Sequence, residues 1–366
     1  MNKKVNYAKD NLPMDKTVYL AMSGGVDSSL SASLLKEAGF GVIGVFIKAW
    51  HPEFLECPWK KDRLDALRVA THIGIPFKTI DLSKEYKKEV VDYLISEYKS
   101  GRTPNPDVMC NKSIKFGAFF KWAIKNGADY VATGHYAQIK NKNGVYHLYK
   151  GQDPKKDQSY FLWTINGKHF KKILFPIGHL KKDVVRKEAE KRNLVTAHKK
   201  DSQGLCFVGK INFKQFLKRY IKQKNGVVLN TLGETIGEHE GSVFYTIGER
   251  HGFTITKKTP YDGPYYVVDK NIKKNELTVT EKENMKKYST KKIIISKYNW
   301  FLGESSLSKK EYNGRARYRQ PLKKCRVQKK DKNYHIYFKK QQVGIAPGQS
   351  FVVYDKNECL GGGVIQ

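Results

Sequence analysis

Ala21-Met22-Ser23-Gly24-Gly25-Val26-Asp27-Ser28-Ser29 decides how the first part of this chain folds. It follows an apolar run, Val18-Tyr19-Leu20-Ala21, that reads as a buried strand. It precedes Leu30, Leu34 and Leu35, which are spaced for one face of a helix. The stretch is therefore a strand–loop–helix turn. Its two glycines let backbone N–H groups come close to an anion, and the helix N-terminus adds its positive end. Ser23, Ser28 and Ser29 add hydroxyl donors. A loop of this make-up holds phosphate or pyrophosphate.

It is not the mononucleotide loop G-x-x-x-x-G-K-[ST], whose lysine reaches the β- and γ-phosphates. No lysine lies between Lys16 and Lys36. Asp27 stands where that lysine is expected, and its expected job is to help hold Mg²⁺ against phosphate oxygens. The pattern S-G-G-x-D-S resembles the pyrophosphate loop of the ATP-pyrophosphatase superfamily. The resemblance implies transfer of AMP to a carbonyl oxygen with release of pyrophosphate.

Outward from this loop, strand-like and helix-like segments alternate to about residue 135. Val42 to Ile47 reads as a strand, Asp62 to Gly74 as a helix, Phe77 to Ile80 as a strand and Lys84 to Tyr98 as a helix. A further helix runs from Ser113 to Asn126, and Asp129 to Thr133 is a strand ending at Gly134-His135. Strands separated by single helices predict a doubly wound parallel sheet, an α/β fold with ligands at the carboxyl ends of its strands. Residues 145–200 are mixed, with a basic helix from Lys181 to Arg192. Past about 225, short β-rich runs such as Val227-Leu229, Val243-Thr246, Tyr265-Val268 and Leu277-Val279 take over, and from about 290 the pattern is wholly β-like. The expected organisation is a leader at 1–16, a catalytic unit at 17–212, a small central β-rich unit at 213–286 and a C-terminal β-barrel at 287–366.

Composition limits the function. The 366 residues carry 68 Lys+Arg against 35 Asp+Glu, a net charge of +33. A polyanionic partner, most simply RNA, fits that charge. The lysines are spread along the whole chain, so biased composition is a serious alternative account, and the charge alone is moderate support for RNA binding. No apolar run is long enough to span a membrane. Residues 1–16 lack the apolar core of a secretory signal and have no arginine, so a cytoplasmic location is expected. Five cysteines without a C-x-x-C pair predict reduced thiols. His51, Glu53 and Cys57 cluster in sequence but match no metal-ligand spacing, and no metal site is expected there.

Two further segments carry chemistry. In Arg102-Thr103-Pro104-Asn105-Pro106-Asp107-Val108-Met109-Cys110-Asn111, two prolines flank Asn105 and hold the segment extended, ahead of a helix from about Ser113. Cys110 then sits near a helix N-terminus, which makes a thiol more nucleophilic, and Asp107 is placed to act as acid or base. A lone cysteine is also read as a buried core residue. The second segment, Lys200-Asp201-Ser202-Gln203-Gly204-Leu205-Cys206-Phe207, puts Cys206 in a glycine-bearing loop.

In order along the chain stand S-G-G-V-D-S, T-P-N-P-D-x-x-C-N, T-G-H-Y, K-D-Q-S-Y-F-L and D-S-x-G-x-C-F, then Arg315-Ala316-Arg317-Tyr318-Arg319-Gln320 and Ala346-Pro347-Gly348-Gln349. Together they closely resemble the tRNA-specific 2-thiouridylase family over roughly residues 17–366. The resemblance implies that Ala21, Met22, Ser23, Gly24, Gly25, Val26, Asp27 and Ser28, with Ile47 and Gly134, bind ATP. It implies that Asn105, Pro106 and Asp107 meet the target base, that Cys110 is the nucleophile and that Cys206 carries sulfur as a persulfide. Contacts to tRNA would come from His135, Lys156, Asp157, Gln158, Arg317, Tyr318, Arg319 and Gln349. A protein sulfur donor is the implied partner, and the free chain is expected to be a monomer. A labile iron–sulfur cluster on Asp107, Cys110 and Cys206 is a variant of the same chemistry, as in other thiolate-bound clusters. A small-molecule ligase of the same superfamily would explain the loop but neither the paired cysteines nor the charge. A non-catalytic RNA-binding protein would leave Ser23, Asp27, Cys110 and Cys206 without a purpose.

Overall fold

A computed structural model describes residues 15–54, 59–201, 213–222, 224–257 and 262–366. The first sheet is parallel. It holds β1 (Thr17–Ala21), β2 (Gly41–Lys48), β3 (Phe77–Asp81), β4 (Tyr130–Thr133) and β7 (Ile173–Leu174), in the order β3-β2-β1-β4-β7. Its strands divide their side chains between two cores, because alternate residues face opposite sides of a sheet. Val18, Leu20, Val42 and Phe46 join Leu30 and Leu35 of helix α1 (Val26–Glu37) and Val69 of α2 (Trp59–Ile73) on one face. Tyr19, Val45, Ile47 and Val131 meet Leu94, Ile114 and Phe119 on the other. Helices therefore cover both faces, as the alternation of segments predicts.

The chain runs β1 to β2 to β3 on one side, then returns to place β4 on the other side of β1. A crevice opens at that reversal, between the ends of β1 and β4. The loop 21–28 and the Gly134-His135 corner are the two lips of this crevice.

Two long helices line the second face. α3 (83–99) and α4 (106–125) each run without a break but contain a π-helical stretch, Lys87–Asp92 in α3 and Cys110–Phe119 in α4. Helix α4 starts at Pro106, not near Ser113. Proline at the first helical position loses no hydrogen bond and has its φ already set, so Pro106 opens the helix instead of holding the segment extended up to Ser113.

The hairpin β5 (Ala137–Lys142) and β6 (Val145–Lys150) leaves the first unit and pairs through Glu358 and Cys359 with β18 (Glu358–Ile365) of the C-terminal sheet. After α5 (Lys182–Lys191) and α6 (Phe213–Lys218) comes a second sheet. It holds β8 (Gly226–Leu229), β9 (Thr235–His239), β10 (Thr254–Ile255), β11 (Tyr265–Asn271) and β12 (Glu276–Glu281) in the order β10-β9-β8-β12-β11. Val243-Thr246, expected as a strand, is instead a 3₁₀ turn at Ser242–Phe244. It follows Gly241 at φ 131° and turns Phe244 and Tyr245 into the core.

The C-terminal strands are β13 (Thr290–Trp300), β14 (Tyr312–Arg315), β15 (Lys323–Lys330), β16 (Asn333–Gln342), β17 (Ser350–Asp355) and β18. They run β13-β16-β15-β14-β17-β18, and pairing of β13 with β18 closes a six-stranded barrel. Its interior is filled by Ile295, Tyr334, Ile336, Phe351 and Val353. Among the described residues, no helix is long and apolar enough to cross a membrane.

Candidate active site

The loop after β1 is built as its sequence predicts. Gly25 stands just ahead of α1 with extended backbone and no side-chain cap, so the first N–H groups of the helix are left for a ligand. Ser28 Oγ donates to Gly25 O at 3.1 Å and accepts from Ser23 N at 3.2 Å, which fixes the turn. Gly24 has φ +70°, and a Cβ there would lie 2.2 Å from Asp62 O. Gly134 closes on the loop from β4: a Cβ would lie 2.8 Å from Ser28 N and 2.9 Å from Asp27 C. Both glycines are thus required by backbone packing around the loop.

A cleft of about 460 Å³ runs from this loop to the C-terminal barrel. It is lined by Ala21, Met22, Ser23, Gly25, Val26, Asp27, Ser28, Ile47 and Gly134 at one end. Asp107, Asn111, His135, Lys156, Gln158, Tyr318 and Arg319 continue it. Residues scattered over three hundred positions of sequence therefore share one cavity. Tyr318 packs on Phe161 with centroids 4.5 Å apart, and Arg319 lies over the Tyr318 ring at 5.2 Å. Arg319 adopts φ +62°, a conformation uncommon outside glycine and one that collects at functional sites.

Asn105 caps α4, its Oδ1 accepting from the N–H groups of Asp107 and Val108 at 3.1 and 3.2 Å. Cys110 is the fifth residue of that helix and is wholly buried, between Asp107 and Asn111, which both line the cleft. Cys206 and Cys57 lie outside the described residues. Among the described residues, no group of three or more His, Cys, Asp or Glu side chains is placed to hold a metal ion.

Several side chains expected at tRNA are engaged inside the protein. Asp157 is buried and ion-paired to Arg315, which also donates to Tyr354 OH at 3.0 Å; this joins the first unit to the barrel. Gln158 Oε1 accepts from Tyr136 N at 2.9 Å. Arg317 donates to Ile247 O. Gln349 Nε2 donates to Thr103 O at 2.9 Å, and Thr103 N donates to Pro347 O at 2.8 Å, so the barrel clamps the segment leading into Asn105. His135 is buried between Phe116 and Phe175, each with its centroid 5.8 Å away, and its Nδ1 meets Thr133 Oγ1 at 2.7 Å. Burial, with the nearby Lys115 charge, holds its pKa well below the usual value.

The sequence assigned no role to Tyr136, Lys182 or Asp201. Tyr136 OH donates to Asp27 Oδ1 at 2.6 Å, and Lys182 Nζ reaches the same carboxylate at 2.7 Å. The side chain expected to face Mg²⁺ is thus held by a phenol and an ammonium. Burial and the Asp27 charge keep Tyr136 protonated. Burial would raise the Asp201 carboxyl, but hydrogen bonds from Lys156 and Lys182 outweigh it and hold the pKa at about 2. Asp27 lies 155 residues from Lys182 in sequence, so no local pattern could have revealed that contact.

Three families match consecutive parts of the chain. They are described as the tRNA methyl transferase HUP domain, residues 16–210, the tRNA methyl transferase PRC-barrel domain, residues 214–281, and the aminomethyltransferase beta-barrel domain, residues 290–365. The tRNA-specific 2-thiouridylase MnmA of Streptococcus uberis is 46% identical over 95% of this chain and 94% of its own. That of Methylobacillus flagellatus is 43% identical over 96% of this chain and 99% of its own. Among solved structures, the U34-tRNA thiolase NcsA from Methanococcus maripaludis aligns with a TM-score of 0.36 at 22% identity, covering 58% of this chain and 66% of that one, too little to bear on the assignment. With relatives 43–46% identical over 95–96% of its length, the chain belongs to the tRNA-specific 2-thiouridylase family.

Proposed function

We propose that this protein replaces the 2-oxygen of the wobble uridine, position 34 of tRNA, with sulfur in an ATP-dependent reaction. One observation carries the reading: the pyrophosphate loop and the Asp107 end of α4 open into one cleft. A nucleotide and a flipped-out base can meet there.

The oxygen of a uracil C2 carbonyl is a poor leaving group. Attack of that oxygen on the α-phosphorus of ATP breaks the bond to the bridging oxygen and releases pyrophosphate. The 2-oxygen then leaves as AMP. The terminal sulfur of a Cys206 persulfide attacks C2, the C2–O bond breaks, and a disulfide-linked adduct remains. The Cys110 thiolate attacks the Cys206 sulfur, and the electron pair of the broken S–S bond stays on the new 2-thio group. The Cys110–Cys206 disulfide that results needs a thiol reductant before the next turn. Asp107 is the acid–base group beside the target base. Asn105 and Pro106 support that segment, Lys156, Tyr318 and Arg319 contact tRNA from the cleft, and a protein persulfide donor reloads Cys206.

Labelled sulfur tests the division of labour. Cys206→Ser should accept none from a persulfide donor. Cys110→Ser should still be loaded at Cys206 yet form no 2-thiouridine. Near-normal thiolation by both variants would reject the mechanism. A small-molecule ligase would release AMP without tRNA, and a non-catalytic RNA-binding protein would release none at all.

A further inference from the structure

The nucleotide loop has no lysine of its own, yet an ammonium reaches it from elsewhere in the chain. Lys182 opens α5, 155 residues beyond Asp27. Its Nζ stands 2.7 and 2.9 Å from the two carboxylate oxygens of Asp27 and 2.8 Å from Asp201 Oδ1. The side chain is only 12% exposed, and Nζ lies 5.8 Å from the centroid of the Tyr136 ring. A lysine held this way has already lost the rotamer freedom that binding would otherwise cost.

Lys156, Lys182 and Arg186 are grouped around Asp27 and Asp201, and Asp153 Oδ2 accepts from the Lys182 backbone N–H at 3.0 Å, so the start of α5 is fixed on both sides. Asp27, Lys156 and Asp201 line the same cleft wall as Ser23 and Ser28. A multiply charged anion in that cleft meets the N–H groups of α1 and, beside Asp27, an ammonium that can turn from the carboxylate to a phosphate oxygen.

We propose that Lys182 is a phosphate-binding catalytic residue of the nucleotide site, contacting the β- and γ-phosphates of ATP and neutralising pyrophosphate as it departs. The proposal rests on the adenylation reading above. When the bond from the α-phosphorus breaks, its electron pair stays on the bridging oxygen of pyrophosphate, and Lys182 meets that developing charge without giving up a proton. Asp27 holds the ammonium in place until nucleotide arrives.

Titration calorimetry of the full chain with inorganic pyrophosphate and, separately, with AMP tests the assignment. Lys182→Ala should weaken pyrophosphate binding about tenfold or more and leave AMP within about twofold, while Lys182→Arg keeps most of the pyrophosphate affinity. If Lys182→Ala melts below the assay temperature, Lys182→Met, which keeps the apolar stem, takes its place. Unchanged pyrophosphate affinity, equal weakening of both ligands, or no pyrophosphate binding by the parent protein would overturn the proposal. Pyrophosphate held through Lys182 by a protein that forms no AMP with tRNA would instead sink the adenylation reading and leave the phosphate site standing.

Discussion

Gly134→Ala is the sharpest structural perturbation of the proposed nucleotide site. A Cβ at this corner would sit 2.8 Å from Ser28 N and 2.9 Å from Asp27 C, where ordinary contact begins at 3.4 Å. Both neighbours are backbone, so no flexible side chain can give way. The end of β4 and the loop must part by about 0.6 Å, and a displacement of about 1 Å at a catalytic site costs about 100-fold in rate. The expected loss in kcat/KM for ATP is therefore about ten- to twentyfold, measured as tRNA-dependent AMP release. Crowding of a packed site also costs about 1–3 kcal/mol of stability, so the assay is run well below the variant's melting temperature. Gly263→Ala is the control, because its Cβ meets nothing within 4 Å. Unchanged kcat/KM in Gly134→Ala would show that this corner is not part of the nucleotide site.

Three further outcomes follow from the same geometry. Asp157→Asn leaves the Arg315 guanidinium buried without its counter-charge and should cost about 3–5 kcal/mol in urea unfolding; a change below about 1 kcal/mol would mean the pair does not bind the barrel to the first unit. His135 stays neutral when folded but takes up a proton near pH 6.5 when unfolded, so its contribution is present above that pH and is lost as pH falls below it. Melting curves from pH 7.5 to 5.5 should show His135→Gln losing about 1.4 kcal/mol per pH unit less than the parent below pH 6.5, and identical slopes would contradict the buried neutral imidazole. Burial, aided by Glu311, pushes the Cys325 thiol up to about 12, and burial raises Cys359 as well. Neither should be alkylated by iodoacetamide at pH 8 until the protein is unfolded, as peptide mass spectrometry would show.

The local features were legible and the long-range ones were not. The 21–29 loop, its flanking strand and helix, and the Gly134-His135 corner follow from apolar runs, glycines and caps a few residues apart. The start of α4 was missed because Pro106 was weighed as a helix breaker rather than as a favoured first residue. The β5–β6 hairpin was missed despite a signal: Asn143 and Gly144 take φ +52° and +82°, the pair expected of a tight hairpin turn. Its pairing with β18 had no such signal, since Leu148 and Cys359 are brought together only by the finished fold. The same holds for Gln349 on Thr103, 246 residues apart, and for Lys182 on Asp27. Contacts of that range decide which of the expected tRNA residues face the cleft and which hold the protein together.

The central claim is tested most directly by incubating the purified chain with unmodified tRNA, ATP and a persulfide donor, then measuring nucleosides and nucleotides together by mass spectrometry. The account predicts 2-thiouridine at position 34, with one AMP and one pyrophosphate formed for each sulfur inserted. ADP and phosphate as the main products, or AMP formed with no 2-thiouridine, would contradict it.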